Sequence, residues 1–382
     1  MAIPPSSGVR PGIDILLRDN LRLLDGARCG LVTNHTGRTA DGIPTVDVLH
    51  HGPGVRLEAL FGPEHGIRGA VDAPVDDGRD DRTGLPVHSL YGPRTEPTDE
   101  QLAGLDTLVF DIQDIGCRFY TYLSTLGGVL TAAARKGLRV VVLDRPNPVG
   151  GVAVEGPLAD SDRLSFTAFH PIPIRHGMTL GELARLVCLE RGLKTELVVV
   201  KCEGWKRADH WDATGLLWVD PSPNMRSPTQ ALLYPGVALA EFTNVSVGRG
   251  TDTPFERFGA PWIEPRSFAA ALNDAKLPGV RFVPIEFTPR ASRFEGERCG
   301  GVYLTVLDRQ RFQPVRTGLE LAAVLRRHYR DRWQASKLLT LLAHRSTMDG
   351  LLADEPVDRL AKEWSPALKA FLELRKHVLL YD

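Results

Sequence analysis

Cysteine is sparse and dispersed in this chain: five residues in 382, an odd number with no Cys-x-x-Cys pair. That excludes a disulfide scaffold and leaves no cysteine zinc site; Cys29, Cys188 and Cys202 sit in apolar stretches where a free thiol is ordinary core. Long apolar runs are missing as well, so no segment reaches the ~20 residues of a membrane span. Excess charge of either sign is absent: 46 Lys and Arg against 47 Asp and Glu give a net charge of −1. Neither nucleic acid nor an anionic membrane has an electrostatic hold on such a surface. The opening Met1-Ala2-Ile3-Pro4-Pro5-Ser6-Ser7 has no basic and no apolar segment, so the chain as written is expected to be cytoplasmic, and exported only if a signal preceded it. No Gly-x-Gly-x-x-Gly follows the first strand-like run, and no Gly-x4-Gly-Lys-Ser/Thr or His-Glu-x-x-His occurs, which argues against dinucleotide, P-loop and zincin chemistry. There is no internal repeat and no low-complexity segment.

What remains is an alternation of short Val/Leu runs and amphipathic stretches. Strands are expected at 27–33, 57–61, 108–112, 138–143 and 196–200. A helix with Leu123, Leu126, Leu130 and Ala133 on one face should stop at Gly137. A second should begin at the capping box Thr179/Glu182 and end at Gly192. Near-continuous apolar strands between helices specify a parallel sheet covered on both faces. After about residue 205 the pattern changes to Pro and Trp, then helix, strand, strand and helix at 267–276, 280–287, 301–307 and 319–329. The expected fold is α/β: a Rossmann-like parallel-sheet domain over 1–235, a smaller α+β domain over 236–382, and the active-site cleft between them.

Chemistry is expected where parallel strands end, because ligands bind beyond their carboxyl edge. Polar residues mark four such ends: Asn34-His35, Glu64-His65, Asp111-x-x-Asp114 and Asp144-Arg145-x-Asn147. Glu64 stands out. It follows a buried strand in Gly62-Pro63-Glu64-His65-Gly66, where proline fixes the backbone and glycines permit close approach. A carboxyl shielded there favours its protonated form and suits a general acid. Each of the others also has a plain structural reading: Asp111 as a helix cap, Asn147 as a pin between two prolines, His35 as a hydrogen-bonded loop histidine, Tyr120 and Tyr122 as packing. The stretch Glu241 to Thr251 alternates polar residues, which suggests a half-exposed strand leading into the Gly248-Arg249-Gly250 turn. An arginine projected from such a turn suits a carboxylate or phosphate.

Six motifs occur in order: Asn34-His35-Thr36-Gly37, Phe61-Gly62-Pro63-Glu64-His65-Gly66, Phe110-Asp111-Ile112-Gln113-Asp114-Ile115-Gly116, Asp144-Arg145-Pro146-Asn147-Pro148, Pro221-Ser222-Pro223-Asn224-Met225 and Glu241 through Thr251. Together they resemble the NamZ-type exo-β-N-acetylmuramidases, densely from Gly12 to Trp262 and more weakly to the C-terminus. The resemblance implies release of N-acetylmuramic acid from the non-reducing end of peptide-free peptidoglycan fragments such as MurNAc-GlcNAc, without cofactor or metal, with Glu64 as the catalytic acid. Glycoside hydrolysis also asks for a second carboxylate or substrate assistance. Glu241 and Asp111 rank ahead of Asp114 for that role. Substrate contacts are expected from Asn34, His35, His65, Asp114, Arg118, Tyr120, Asn147, Asn224, Arg249 and Thr251, with Arg249 or Arg118 on the lactyl carboxylate. Two other readings compete: a metal-dependent phosphoester or amide hydrolase using His35, His65, Asp111 and Asp114, and a non-catalytic amino-sugar receptor.

Overall fold

Valine- and leucine-rich runs form the centre of the molecule, and the computed structural model describes residues 8–64, 66–68 and 77–382. The first strands are β1 (Arg28–Thr33), β2 (Arg56–Gly62), β3 (Gly78–Arg79), β4 (Pro86–Ser89), β5 (Thr107–Asp111) and β6 (Arg139–Leu143). The pair β7 (Glu155–Leu158) and β8 (Pro173–Arg175) follows, then β9 (Leu197–Val200). Seven of these make one sheet in the order β3-β4-β2-β1-β5-β6-β9, parallel throughout except for β3 against β4. The chain grows outward from β1 through β2 to β4. It then returns to lay β5 beside β1 and grows the other way. The carboxyl ends of β1 and β5 therefore part at a topological switch point. β5 is buried along its whole length and β1 at all but its first residue, as a sheet covered on both faces requires.

The second half adds β10 (Arg257–Ala260), β11 (Val280–Phe287) and β12 (Cys299–Val306), an antiparallel sheet in the order β10-β12-β11, with helices Pro265–Asp274 and Pro314–His328. The α/β class and both early helices follow the sequence reading: Tyr122–Lys136 closes at Gly137, and Leu180–Arg191 opens on the Thr179/Glu182 capping box. No helix among the described residues is long and apolar enough to cross a membrane. One expectation fails. Residues 241–244 are a turn and not a strand, because Ala238–Ala240 is already helical and the amides of Glu241 and Thr243 bond back to Ala238 and Ala240. The Thr243 hydroxyl also returns to the Ala240 carbonyl, so the alternation of polar residues there reflects a turn.

Two features fix the geometry around the site. Helix Pro228–Val237 crosses helix Pro314–His328 at glycine: a Cβ on Gly236 would lie 1.9 Å from the Pro314 carbonyl oxygen, and one on Gly318 2.2 Å from that of Gly236. Only glycine lets these backbones touch. One apolar core then runs from Phe110 and Leu130 under the large sheet through Leu232 and Val237 to Val324. The chain's end is tied to the same sheet, where the Tyr381 hydroxyl donates to Asp144 at 2.6 Å.

Candidate active site

β2 delivers Glu64. The strand is buried from Ala59 to Gly62, Pro63 fixes the turn, and Glu64 emerges half-buried at the wall of a cavity. Its Oε2 accepts from the Thr121 hydroxyl at 3.4 Å. The floor is aromatic: Tyr120 meets Tyr122 edge-on at 5.0 Å and Tyr234 at 5.7 Å, and Tyr234 meets Phe255 at 4.8 Å. Tyr122 is held by Asn34, whose Nδ2 donates to the phenol oxygen at 2.8 Å, while the phenol itself donates to the Pro221 carbonyl. Burial, and second to it the charge of Glu64, pushes the Tyr122 phenol well above its ordinary range, so it stays a neutral donor. Phe255 adopts a left-handed φ of 62°. Such a conformation costs about 1–3 kcal/mol in a non-glycine residue, and it persists here because Phe255 is fully buried and its amide bonds to Val247 at 2.7 Å.

Arg249 borders this cavity and also a second one, lined by Glu241 and Phe242. Its Nε pairs with Glu241 Oε1 at 2.7 Å. Burial raises the Glu241 carboxyl above the usual range; Arg249 opposes that rise, and the charge of Glu64 adds to it. Gly248 and Gly250 have φ of 83° and 77°, and a Cβ on Gly250 would lie 2.3 Å from the Ala291 carbonyl oxygen. The close approach these glycines permit is to neighbouring backbone, which aims Arg249; it is not an approach to ligand.

Several sequence candidates stand elsewhere. Asp111 is fully buried, gripped by the Arg145 Nε and Nη2 and by the Thr45 hydroxyl, and it does not line the Glu64 cavity. A carboxylate with all its oxygens committed to partners inside the fold locks β5 to the β6 loop. Arg118 is equally removed: its guanidinium donates to the carbonyls of Pro157, Ile172, Leu341 and Leu342 and cannot reach a lactyl group. Asn147 pins its loop, donating to the Met178 carbonyl and accepting from the Val149 amide. The Thr251 hydroxyl closes its own turn onto the Gly248 carbonyl. His35 fastens a loop, its Nε2 lying 2.6 Å from the Asp220 carbonyl oxygen. His65 lies outside the described residues. Tyr120 and Asn224 do line the Glu64 cavity, and Asn34 acts on it through Tyr122. Among the described residues no three His, Cys, Asp or Glu side chains gather as a metal site, and His35 and Asp111 are engaged as above.

Asp114 is buried, and burial drives its carboxyl up to about 7, whereas buried His176, 3.9 Å away, is pushed down to about 3 by desolvation and then by Arg375 and Arg175. Both are neutral in the fold near pH 6. The signs differ. Raised Asp114 stabilises the fold below the unfolded value of 3.8, and that contribution is lost as pH rises through about 7. Depressed His176 contributes above its unfolded value of 6.5, and that contribution is lost as pH falls toward 3. Asp114→Asn removes the first effect alone. The variant should gain stability on wild type as pH rises from about 4 to 7, by on the order of 4 kcal/mol, read from urea midpoints at each pH. A constant difference across that window would contradict the assignment.

Sequence reading did not single out Phe119, Thr121, Tyr234 or Phe255, all of which line the cavity. Tyr234 lies within an apolar helix and Phe255 after an irregular turn, so neither carries a local signal. Thr121 is adjacent to the flagged Tyr120 and Tyr122.

The comparisons agree with this architecture. Two family models match end to end: the exo-β-N-acetylmuramidase NamZ N-terminal model over residues 29–229 and its C-terminal counterpart over 232–381. The peptidoglycan β-N-acetylmuramidase NamZ of Bacillus subtilis is 42% identical over 380 residues, which cover 98% of this chain and 91% of that protein. Two crystal structures of DUF1343 family proteins from Bacteroides fragilis superpose with TM-scores of 0.93 and 0.80 at 36% and 28% identity, covering 99% and 98% of this chain and 100% and 99% of theirs. A glutamate presented at a strand end, an arginine paired with a second glutamate beside it, and matches that span both halves lead to one conclusion: the chain belongs to the NamZ family of exo-β-N-acetylmuramidases.

Proposed function

We propose that the chain is an exo-acting glycosidase that releases N-acetylmuramic acid from the non-reducing end of peptide-free peptidoglycan fragments, with Glu64 as the general acid. The observation that carries this reading is the placement of Glu64: half-buried, at the wall of an aromatic-floored cavity, with a second carboxyl group close enough to feel its charge. Glu64 gives its proton to the glycosidic oxygen as the bond to the anomeric carbon breaks, and the hydroxyl of a water molecule takes the leaving group's place on that carbon while the water's other proton returns to a carboxylate of the site. The aromatic floor faces the C–H surfaces of the sugar. Glu241 serves as the second carboxylate, and Arg249 holds it in place. Assays that set a chromogenic N-acetylmuramide against the matching N-acetylglucosaminide test the proposal. Turnover of the first alone is expected, and equal turnover would refute it.

Arg249 is also the residue we assign to the lactyl carboxylate, the group that distinguishes muramic acid from glucosamine. It lines the cavity of Glu64 as well as that of Glu241, and a planar guanidinium matches the geometry of a carboxylate. Arg249→Leu should weaken muramide binding by about 1.5–3 kcal/mol, or roughly 10- to 150-fold in KM. Residual binding of plain N-acetylglucosamine should change far less. Equal losses on both ligands would mean that the arginine only supports the wall.

A further inference from the structure

A cavity lined by three arginines, one histidine and no carboxylate lies apart from the catalytic site, and none of its lining residues belongs to the Glu64 or the Glu241 cavity. Arg175 reaches it from β8, Arg207 and His210 from the loop after β9, and Arg309 from the turn after β12, so both halves of the chain build its wall. Two of the arginines are neutralised within the fold: Arg207 pairs with Glu182 and Arg309 with Asp212. Arg175 is not. It is 3% exposed and forms no ion pair among the described residues. Glu155 acts on it through charge without a hydrogen bond, and burial pushes that carboxyl up to about 7, which leaves it partly protonated near neutral pH. Within the Arg175 guanidinium, Nη2 donates to the Val149 carbonyl and Nε has no acceptor; Nη1 bonds to no group of the fold and, unlike Nε, is not closed off from solvent. Other buried arginines are better served: Arg118 donates to four carbonyls and Arg375 to three. A buried charge without a partner is costly, so an open guanidinium in such a wall calls for an anion.

His210 senses the field in this cavity. Burial, then the charges of Arg175 and Arg309, push its imidazole below the ordinary range, and Asp212 and Asp209 oppose them more weakly. Both arginines therefore bear on one ring, and the potential there is positive even with the two aspartates in place. The ring is seated on Gly150, whose φ is 78° and where a Cβ would lie 2.9 Å from His210 Cδ2. With Arg207 and Arg309 each matched by a carboxylate, the balance of the wall is one positive charge, that of Arg175. A monoanion answers it, and a phosphate dianion exceeds it. A planar guanidinium suits the two oxygens of a carboxylate, and exposed Val152, Ala153 and Ala208 offer apolar surface to a carbon skeleton. We propose that this cavity is a binding site for a small organic carboxylate, held through its oxygens by Arg175 beside His210 and Arg309, with its carbon skeleton against Val152 and Ala153. The wall alone carries this inference, which does not depend on the glycosidase reading.

The test is a titration of the full chain, with 13C- and 15N-labelled histidine, by sodium lactate at constant ionic strength, so that screening of surface charge does not change. The His210 ring resonances are identified by their disappearance in His210→Gln. They should shift and saturate with lactate and stay in place with lactamide, which has the same skeleton and no charge. Val152→Glu sets a carboxylate at the rim on a side chain 62% exposed, where folding tolerates it, and should weaken lactate binding by about tenfold or more. Arg249→Leu should leave the His210 response as it is, because that arginine belongs to the other cavities. Five results overturn the proposal: no saturable shift with lactate, an equal response to lactamide, tighter binding of inorganic phosphate than of lactate, undiminished binding in Val152→Glu, or loss of the response in Arg249→Leu. The readout needs no turnover, so its failure leaves the role of Glu64 standing, and an inactive enzyme would leave the titration readable.

Discussion

Glu64→Gln is expected to fold normally and to turn over a natural muramyl disaccharide about 10²–10⁴-fold more slowly, the usual contribution of general acid catalysis. The substitution keeps the shape of the side chain and the contact with Thr121, and it removes only the transferable proton. The size of the loss should depend on the leaving group. A sugar alkoxide needs protonation as the bond breaks, whereas a nitrophenolate does not, so the defect should shrink markedly with an activated aryl muramide. A defect of equal size on both substrates would place Glu64 in binding.

Arg118→Leu should act on stability where Arg249→Leu acts on specificity. Its guanidinium is fully buried, with Nη1 3.0 Å from the Pro157 carbonyl oxygen and Nη2 2.7 Å from each of the Leu341 and Leu342 carbonyl oxygens. Burial lowers it to about 10, which still leaves it charged at neutral pH. Hydrogen bonds to a charged donor are worth about 1.5–3 kcal/mol each and do not add fully. Leucine is shorter, so it leaves part of the space empty and several carbonyls without a donor. A loss of about 3–5 kcal/mol is expected in urea unfolding, with KM for the muramide unchanged in the folded fraction. A stable variant with a raised KM would return Arg118 to the substrate.

The sheet was legible because its strands are buried on both faces, a condition that demands unbroken Val/Leu runs such as Leu108 to Phe110 and Val140 to Leu143. Helix ends were legible where a single residue decides them, as at Gly137 and Thr179. The short pairs β3–β4 and β7–β8 have no such periodicity. At the site, Glu64 was legible from strand-then-turn grammar. Asp111, Asp144 and Arg145 share that grammar but point into a buried network, and only three-dimensional packing separates the two outcomes. Tyr234 reaches the cavity because Gly236 and Gly318 let two helices touch, a relation spread over some eighty residues of sequence.

One measurement bears most directly on the function: incubation of the purified protein with peptide-free MurNAc-GlcNAc and with the reversed disaccharide GlcNAc-MurNAc, followed by identification of the free sugars. Equimolar N-acetylmuramic acid and N-acetylglucosamine are expected from the first, nothing from the second, and loss of nearly all release in Glu64→Gln. Release from the reversed disaccharide, or undiminished release by Glu64→Gln, would contradict it.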